Sequence, residues 1–234
     1  MNEKKFLKRV GRFVNQHELI KADDTVAVGV SGGKDSFALL NVLHKRLEHL
    51  PIAYKIVAVH IDFGLNPNQT EAIKKFCQDT KIECIIEKYT FPDSEGGMNC
   101  FWCSWNRRKA LFNSVEKYKI RKLALAHHLD DYIETVFMNM FYQAKVESIL
   151  PKTIFFDGKL EMVRPFLNLT TTEITKYADY KKFPIENHKC PFGIESKRME
   201  FRKLLDTFDK LDPTGLYKYN IFNAVNKEVG ELAK

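Results

Sequence analysis

Residues 25–36 constrain the fold of this chain more than any other stretch. The apolar run Thr25-Val-Ala-Val-Gly-Val30 has strand character and ends in Ser31-Gly-Gly-Lys-Asp-Ser36. It is followed by Phe37-Ala-Leu-Leu-Asn-Val-Leu43, which carries a strong helical bias. A strand that turns through two glycines straight into a helix forms a cradle for an anion. Gly32 and Gly33 lack a Cβ, so the backbone can turn tightly and present its N–H groups, while the helix directs its positive end at the same point. Ser31, Lys34 and Ser36 add donors and one positive charge, with Asp35 between them. The spacing is not the Walker pattern, which needs four residues between its first glycine and the Gly-Lys pair. A Gly-Gly turn alone signifies only a turn. The coincidence of Ser, Gly, Gly, Lys, Asp and Ser is what points to phosphate.

Strand and helix alternate beyond this point. Lys55-Ile-Val-Ala-Val-His-Ile61 reads as a second strand, Asn68 to Asp79 as a helix and Ile82-Glu-Cys-Ile-Ile-Glu87 as a third strand. Phe91 to Asn99 reads as a loop, Arg107 to Lys119 as a helix, Lys122-Leu-Ala-Leu-Ala126 as a strand and Asp130 to Tyr142 as a helix. This predicts an α/β fold, a mostly parallel sheet with helices on both faces. Later come a short strand at Leu160-Glu-Met-Val163, helices at Thr171 to Lys182 and Ser196 to Lys210, and a less regular tail. Three parts are expected: a basic amphipathic helix over 1–22, a nucleotide-binding domain with a cysteine site over 23–190, and a helical extension over 191–234. In open α/β sheets ligands lie beyond the carboxyl ends of the strands, near a topological switch point. The Ser-Gly-Gly loop follows the first strand, His60 and Asp62 close the second, and His127-His128-Leu129-Asp130-Asp131 follows Ala126. All three are expected to converge on one nucleotide.

A chain of 234 residues, 44% hydrophobic and 29% charged, suits one sizeable core. No apolar stretch is long enough to span a bilayer, and the basic N-terminus lacks an apolar signal region, so a cytoplasmic protein without membrane contact is expected. Five cysteines, an odd number, argue against a disulfide framework and leave metal binding or burial. Of the net charge of +7, the first 22 residues carry +4, from Lys4, Lys5, Lys8, Arg9, Arg12 and Lys21 against Glu3 and Glu18. Phe6, Val10, Phe13 and Val14 recur there at helical spacing, which gives a helix with a cationic outer face. Such a face suits RNA phosphates, or simply solvent over a capped core.

His127 to Thr135 places two imidazoles and two carboxylates at a strand-to-helix junction. Asp130 and Asp131 suit a helix N-terminus in any protein. Beside a phosphate cradle they also suit Mg2+, because ATP brings a hard cation that takes carboxylate oxygens. Cys100-Phe101-Trp102-Cys103 can be redox-active, half of a metal site or two buried thiols. It does not follow a strand directly as in thioredoxin-like folds, which favours metal. Cys190 is the natural third ligand, in a Pro-flanked loop, whereas Cys77 and Cys84 fall within a helix and a strand and are expected to be structural. Zinc would take Cys100, Cys103, Cys190 and His188. A [4Fe-4S] cluster on the three cysteines would leave one iron open to an exogenous ligand. Spacing leaves both readings standing.

The Ser31–Ser36 hexapeptide resembles the PP-loop of the ATP-pyrophosphatase superfamily, whose members adenylylate a substrate and release pyrophosphate. His127-His-x-Asp-Asp-x-x-Glu-Thr135 resembles an element of PP-loop enzymes that modify tRNA. The full order of this hexapeptide, Cys100-x-x-Cys103, Arg107, His127-His-x-Asp-Asp131 and a lone late Cys190 is similar to the tRNA 2-thiocytidine synthetase family. Met138 to Tyr142, Val163-Arg-Pro165 and Arg198 through Phe222 agree with it. The resemblance implies an ATP- and Mg2+-dependent tRNA sulfurtransferase with an oxygen-sensitive [4Fe-4S] cluster on Cys100, Cys103 and Cys190. It further implies attack of the target carbonyl oxygen on the α-phosphorus, followed by displacement of AMP by sulfide. Ser31 to Ser36, His60, Asp62 and His127 would meet the nucleotide, Asp130 or Asp131 the metal or target base, and Arg107 the charge of the intermediate. Phe101, Trp102 and Trp105 would shield the cluster. The partners implied are tRNA, a sulfur donor in the form of a cysteine desulfurase or free sulfide, and a second copy of the chain. Two features depart from the pattern: Cys190-Pro-Phe-Gly193 holds only the first cysteine of a pair, and the flanking zinc fingers of the 2-thiouridine enzymes are missing. A lysidine-type tRNA ligase, which needs no cluster, a tRNA 2-thiouridine synthase and a zinc-held RNA-binding module without catalysis are the competing readings.

Overall fold

The computed structural model describes residues 1–48, 52–91, 100–186 and 197–232, with the side chains of 100, 101, 197 and 228–232 excepted. The helix α1 (Glu3–Gln16) leads into β1 (Thr25–Gly29), α2 (Lys34–Leu47), β2 (Lys55–Asp62), α3 (Pro67–Thr80) and β3 (Glu83–Lys88). The chain continues through α4 (Cys100–Lys117), β4 (Lys122–Ala124), α5 (Leu129–Gln143), β5 (Lys152–Phe155), β6 (Leu160–Val163), α6 (Thr171–Lys181), α7 (Lys197–Leu211) and α8 (Leu216–Leu232). The six strands form one sheet in the order β3-β2-β1-β4-β6-β5, parallel except for β5. The chain winds outward from β1 to β3 and returns to the other side of β1 as β4, so the topological switch point lies between β1 and β4.

Alternation along the strands sorts two cores. Val26 and Val28 of β1 and Ile56 and Ala58 of β2 face one layer, packed by Leu39 and Leu43 of α2, Ile133 of α5 and Tyr177 of α6. Ala27, Val57, Val59 and Ile61 point the other way, toward Ala110 and Val115 of α4. Burial on both faces is why these strands read as nearly continuous apolar runs.

Four local features differ from the sequence reading. The helix expected from Arg107 begins at Cys100, so the Cys-x-x-Cys pair occupies its first turn; the aromatic residues there hid the helical signal behind a cysteine motif. The less regular tail contains α8, a helix from Leu216 to Leu232, and the edge strand β5 was not visible as a period. In α1, Phe6, Val10, Phe13 and Val14 are buried as expected, and Lys4, Lys5, Lys8 and Arg12 are exposed. Arg9 departs from the cationic outer face: it turns inward to pair with Glu173, the Asn168 carbonyl at 2.6 Å and the Tyr219 hydroxyl at 2.8 Å. Among the described residues no helix is long and apolar enough to cross a membrane.

Candidate active site

A cavity of about 680 Å³ opens at the carboxyl ends of β1, β2 and β4, where the switch point demands it. Its floor is the cradle. Gly32 takes left-handed backbone at φ 80°, and a Cβ there would collide with the Gln69 side chain of α3, with Cδ at 2.7 Å, so both conformation and space require glycine. Gly33 has ordinary backbone at φ −81° and serves as the N-cap of α2. Ser36 ties the loop closed: its Oγ accepts from the Ser31 N–H at 3.2 Å and donates to the Gly33 carbonyl at 2.8 Å. Lys34 Nζ rests on Asp35 at 2.9 Å, partly exposed, so it can turn from that carboxylate to an arriving phosphate.

His60 lines the cavity with both ring nitrogens already engaged. Its Nδ1 donates to the Val30 carbonyl at 2.8 Å, and with the proton there Nε2 accepts from Thr70 Oγ1 at 3.2 Å. Burial holds its pKa below the usual histidine range, against the pull of the Val30 carbonyl. The ring thus braces β2 against β1 and α3 beneath the cavity. Asp62, which closes β2, accepts from the Gly64 N–H at 2.8 Å and lines the wall.

The second wall is the N-terminus of α5. The Asp131 side chain accepts from the His128 N–H at 3.0 Å, half of a capping box. Asp130 accepts from the Thr171 N–H at 2.7 Å and from Lys218 Nζ at 2.5 Å. Burial opposes ionisation of Asp130, but His128, Lys218 and the Thr171 N–H outweigh it and hold its pKa well below the usual carboxylate range. His128 is buried too, yet hydrogen bonding to Asp130 and the charges of Asp131 and Asp35 raise its pKa. His127 goes the other way. Burial lowers it to about 4, so it is neutral at physiological pH, and its buried Nδ1 has no partner among the described residues.

The C-terminal helices, α7 and α8, close this wall. Arg202 of α7 reaches Glu134 of α5 at 2.6 Å and Asp131 at 3.7 Å. Burial raises the Glu134 pKa despite that guanidinium. Lys218 of α8, with a side chain 3% exposed, bridges Asp130 and Asp209. Sequence reading gave neither cation a role, although both fall in the stretch from Arg198 through Phe222 that agrees with the family pattern. Breaking a buried ion pair by removing one partner costs ~3–5 kcal/mol. Lys218→Met should lose stability on that scale in urea unfolding, and Lys218→Met combined with Asp130→Asn should recover part of it. A single variant as stable as wild type would show the bridge to be idle.

Arg107 of α4 lies over the Phe63 ring at 4.9 Å and lines the third side of the cavity. Phe63 stacks on Phe91 at 4.7 Å, and Phe91 meets Trp102 at 5.1 Å, an aromatic chain that fixes the cysteine-bearing turn of α4 beside the end of β2. Cys103 is buried. Cys100 is the first residue of the same helix, three residues earlier. Among the described residues no group of three or more histidine, cysteine or acidic side chains could hold a metal ion. Cys190 and His188 lie outside the described residues, as does the Phe101 side chain. Trp105 is 52% exposed and carries Lys109 over its ring at 5.2 Å. Among the described residues seven carboxylates line the cavity, Asp35, Asp62, Asp130, Asp131, Glu134, Asp206 and Asp209, against the cations Lys34, Arg107 and Arg202.

The PP-loop domain family matches residues 2–192. A tRNA-cytidine(32) 2-sulfurtransferase of Shewanella loihica is 33% identical over 90% of this chain and 69% of its own length. One from Geotalea uraniireducens is 31% identical over 88% of this chain and 84% of its own. Among solved structures, the U34-tRNA thiolase NcsA from Methanococcus maripaludis with its [4Fe-4S] cluster superposes with a TM-score of 0.79 at 27% identity, over 96% of this chain and 79% of that one.

Proposed function

The chain belongs to the PP-loop domain family, and from that premise we propose that it is a tRNA sulfurtransferase that consumes ATP and requires a [4Fe-4S] cluster. The observation that carries this reading is convergence. The Ser31–Ser36 cradle, the carboxylates of α5 and Arg107 of α4, four residues beyond Cys103, meet around one cavity. The competing lysidine-type and zinc-module readings draw no support from relatives that are themselves thiolases. We place the sulfur on C2 of cytidine, the base named for the sulfurtransferases above.

In this mechanism the N–H groups opening α2 receive the triphosphate, with Ser31, Gly32, Gly33 and Ser36 shaping the loop. Lys34 leaves Asp35 and adds charge. Asp62 and Asp131 supply carboxylate oxygens for Mg2+, while Asp130, locked to Lys218 and Thr171, orients the α5 terminus. Of the two carboxylates, Asp131 is thus the one we assign to the reactants. The pyrimidine carbonyl oxygen attacks the α-phosphorus, pyrophosphate leaves, and the O-adenylylated base then loses AMP to sulfide. Arg107 stabilises the charge that develops on the transferred group. Cys100, Cys103 and Cys190 would hold the cluster, which when bound supplies an open iron for sulfide. His127, neutral beside Asp131, contacts the nucleotide.

We further assign a cytoplasmic location, a sulfur donor that is either a cysteine desulfurase or free sulfide, and a second copy of the chain. Exposed Phe141, Ile154 and Phe156 offer apolar surface to that copy. We divide the chain into residues 1–22, 23–190 and 191–234, with the last part completing the nucleotide wall. Exposed Lys4, Lys5, Lys8 and Arg12 of α1 are assigned to tRNA phosphates.

One experiment tests the reading. Anaerobic enzyme is incubated with unmodified tRNA, ATP, Mg2+ and isotopically labelled sulfide, and the tRNA is digested to nucleosides. Label in 2-thiocytidine is expected, and only with all components present. Label in 2-thiouridine would sink the base assignment and keep the chemistry; no labelled nucleoside despite pyrophosphate release would point to another nucleophile. Titrating the same tRNA with α1 neutralised at its four exposed cations should flatten the log–log salt dependence by about 0.9 for each phosphate that the helix no longer neutralises.

A further inference from the structure

Cys77 and Cys84 take no part in the site above. Cys77 lies in the last turns of α3 and is 1% exposed, whereas Cys84 is the second residue of β3 and is half-buried. The link between them is short and pinned. Lys81 takes left-handed backbone at φ 56°, and the Ile82 N–H donates to the Cys77 carbonyl at 2.9 Å. The chain therefore doubles back and sets both cysteines on the wall of one surface cleft, also lined by Lys74, Gln78 and Glu83. The cleft is at the amino end of β3. The nucleotide cavity is at the carboxyl ends of the strands, so the pair is separate from it.

We propose that Cys84 and Cys77 are a peroxide-reactive thiol pair, in which Cys84 is oxidised first and Cys77 resolves it to an intramolecular disulfide that ties α3 to β3. The environments are asymmetric in the sense this chemistry needs. The Cys77 thiol and the Lys74 ammonium favour the thiolate of Cys84 against the effect of burial, while hydrogen bonding to Cys84 and burial both raise Cys77. The thiolate sulfur of Cys84 attacks one oxygen of hydrogen peroxide; an S–O bond forms, the O–O bond breaks, and the departing hydroxide takes a proton to leave as water. Cys77 then attacks the resulting sulfenic sulfur, its thiol proton leaves with the hydroxyl as a second water, and the S–S bond closes. Sulfur loses two electrons and peroxide gains them. A dithiol reductant reverses the change. The tied helix is the one whose other end packs Gln69 against Gly32 and holds His60 through Thr70, so the disulfide fixes the buttress of the cradle.

The sequence makes the test direct, because trypsin cleaves after Lys81, between the two cysteines. Anaerobically purified holoenzyme is treated with a small molar excess of hydrogen peroxide, alkylated and digested. Phe76–Lys81 joined to Ile82–Lys88 is expected as the main form of both peptides, lost on reduction with dithiothreitol. Cys84→Ser should slow oxidation of Cys77 by about tenfold or more, the difference between an accessible thiolate and a buried thiol. Cys77→Ala should leave Cys84 as a sulfenic acid trapped by dimedone. Both peptides still fully alkylated while other cysteines have oxidised, or Cys77 linked to any cysteine but Cys84, overturns the proposal. The wild-type digest decides this even if a variant folds poorly.

Discussion

Alanine in place of Cys100, Cys103 or Cys190 should abolish tRNA thiolation and strip anaerobically purified protein of its colour and of about four irons per chain. A cluster held by three thiolates has no spare ligand, so each loss is complete and not graded. Cys103 is buried in α4, three residues after Cys100. Pyrophosphate release should survive in part, because the cradle is built from β1 and α2 and not from α4. Iron analysis, visible absorbance and nucleoside mass spectrometry separate these effects. Stoichiometric zinc in wild-type anaerobic protein, with no sulfur-to-iron absorbance, would falsify the cluster assignment.

The second large effect is expected at the cradle, with the cluster left intact. Lys34→Ala should lower kcat/KM for ATP by about 10²-fold, the scale of losing one preorganised charge at a transferring phosphoryl group. Asp35→Ala should impair turnover as well, since Asp35 is the resting partner of Lys34. Gly32→Ala should cost at least as much, because an added Cβ would collide with Gln69 in a left-handed backbone. Iron content and circular dichroism matching wild type would confine the damage to the nucleotide site. Unchanged ATP dependence in both Lys34→Ala and Gly32→Ala would remove the cradle from the mechanism.

The central sheet and its switch point were legible because β1 and β2 are buried on both faces and end in polar motifs, so apolar runs and chemistry changed at the same residues. Gly32 was legible for the same reason: a turn that tight admits few residue types. The roles of His60 and Arg9 were not. Nothing local in a strand-terminal histidine says that a carbonyl 30 residues earlier and a threonine ten residues later occupy both its nitrogens. Arg9 sits among exposed cations in α1, and only the packing of α6 and α8 against that helix makes it an internal ligand of Glu173 and Tyr219. Lys218 is the extreme case, tied to Asp130 across 88 residues, a pairing that agreement of its stretch with the family pattern did not reveal. Periodicity reports which face of a helix is buried, not which distant charge waits there.

The lining of the cavity has a consequence for what can enter it. The chain as a whole carries +7, while seven carboxylates and three cations face the cavity. Three of those carboxylates already carry a cation: Lys34 rests on Asp35, Arg202 on Glu134 and Lys218 on Asp130. A phosphate that draws Lys34 away leaves Asp35 without its counter-charge, so nucleotide arriving with a divalent ion should bind better than nucleotide alone.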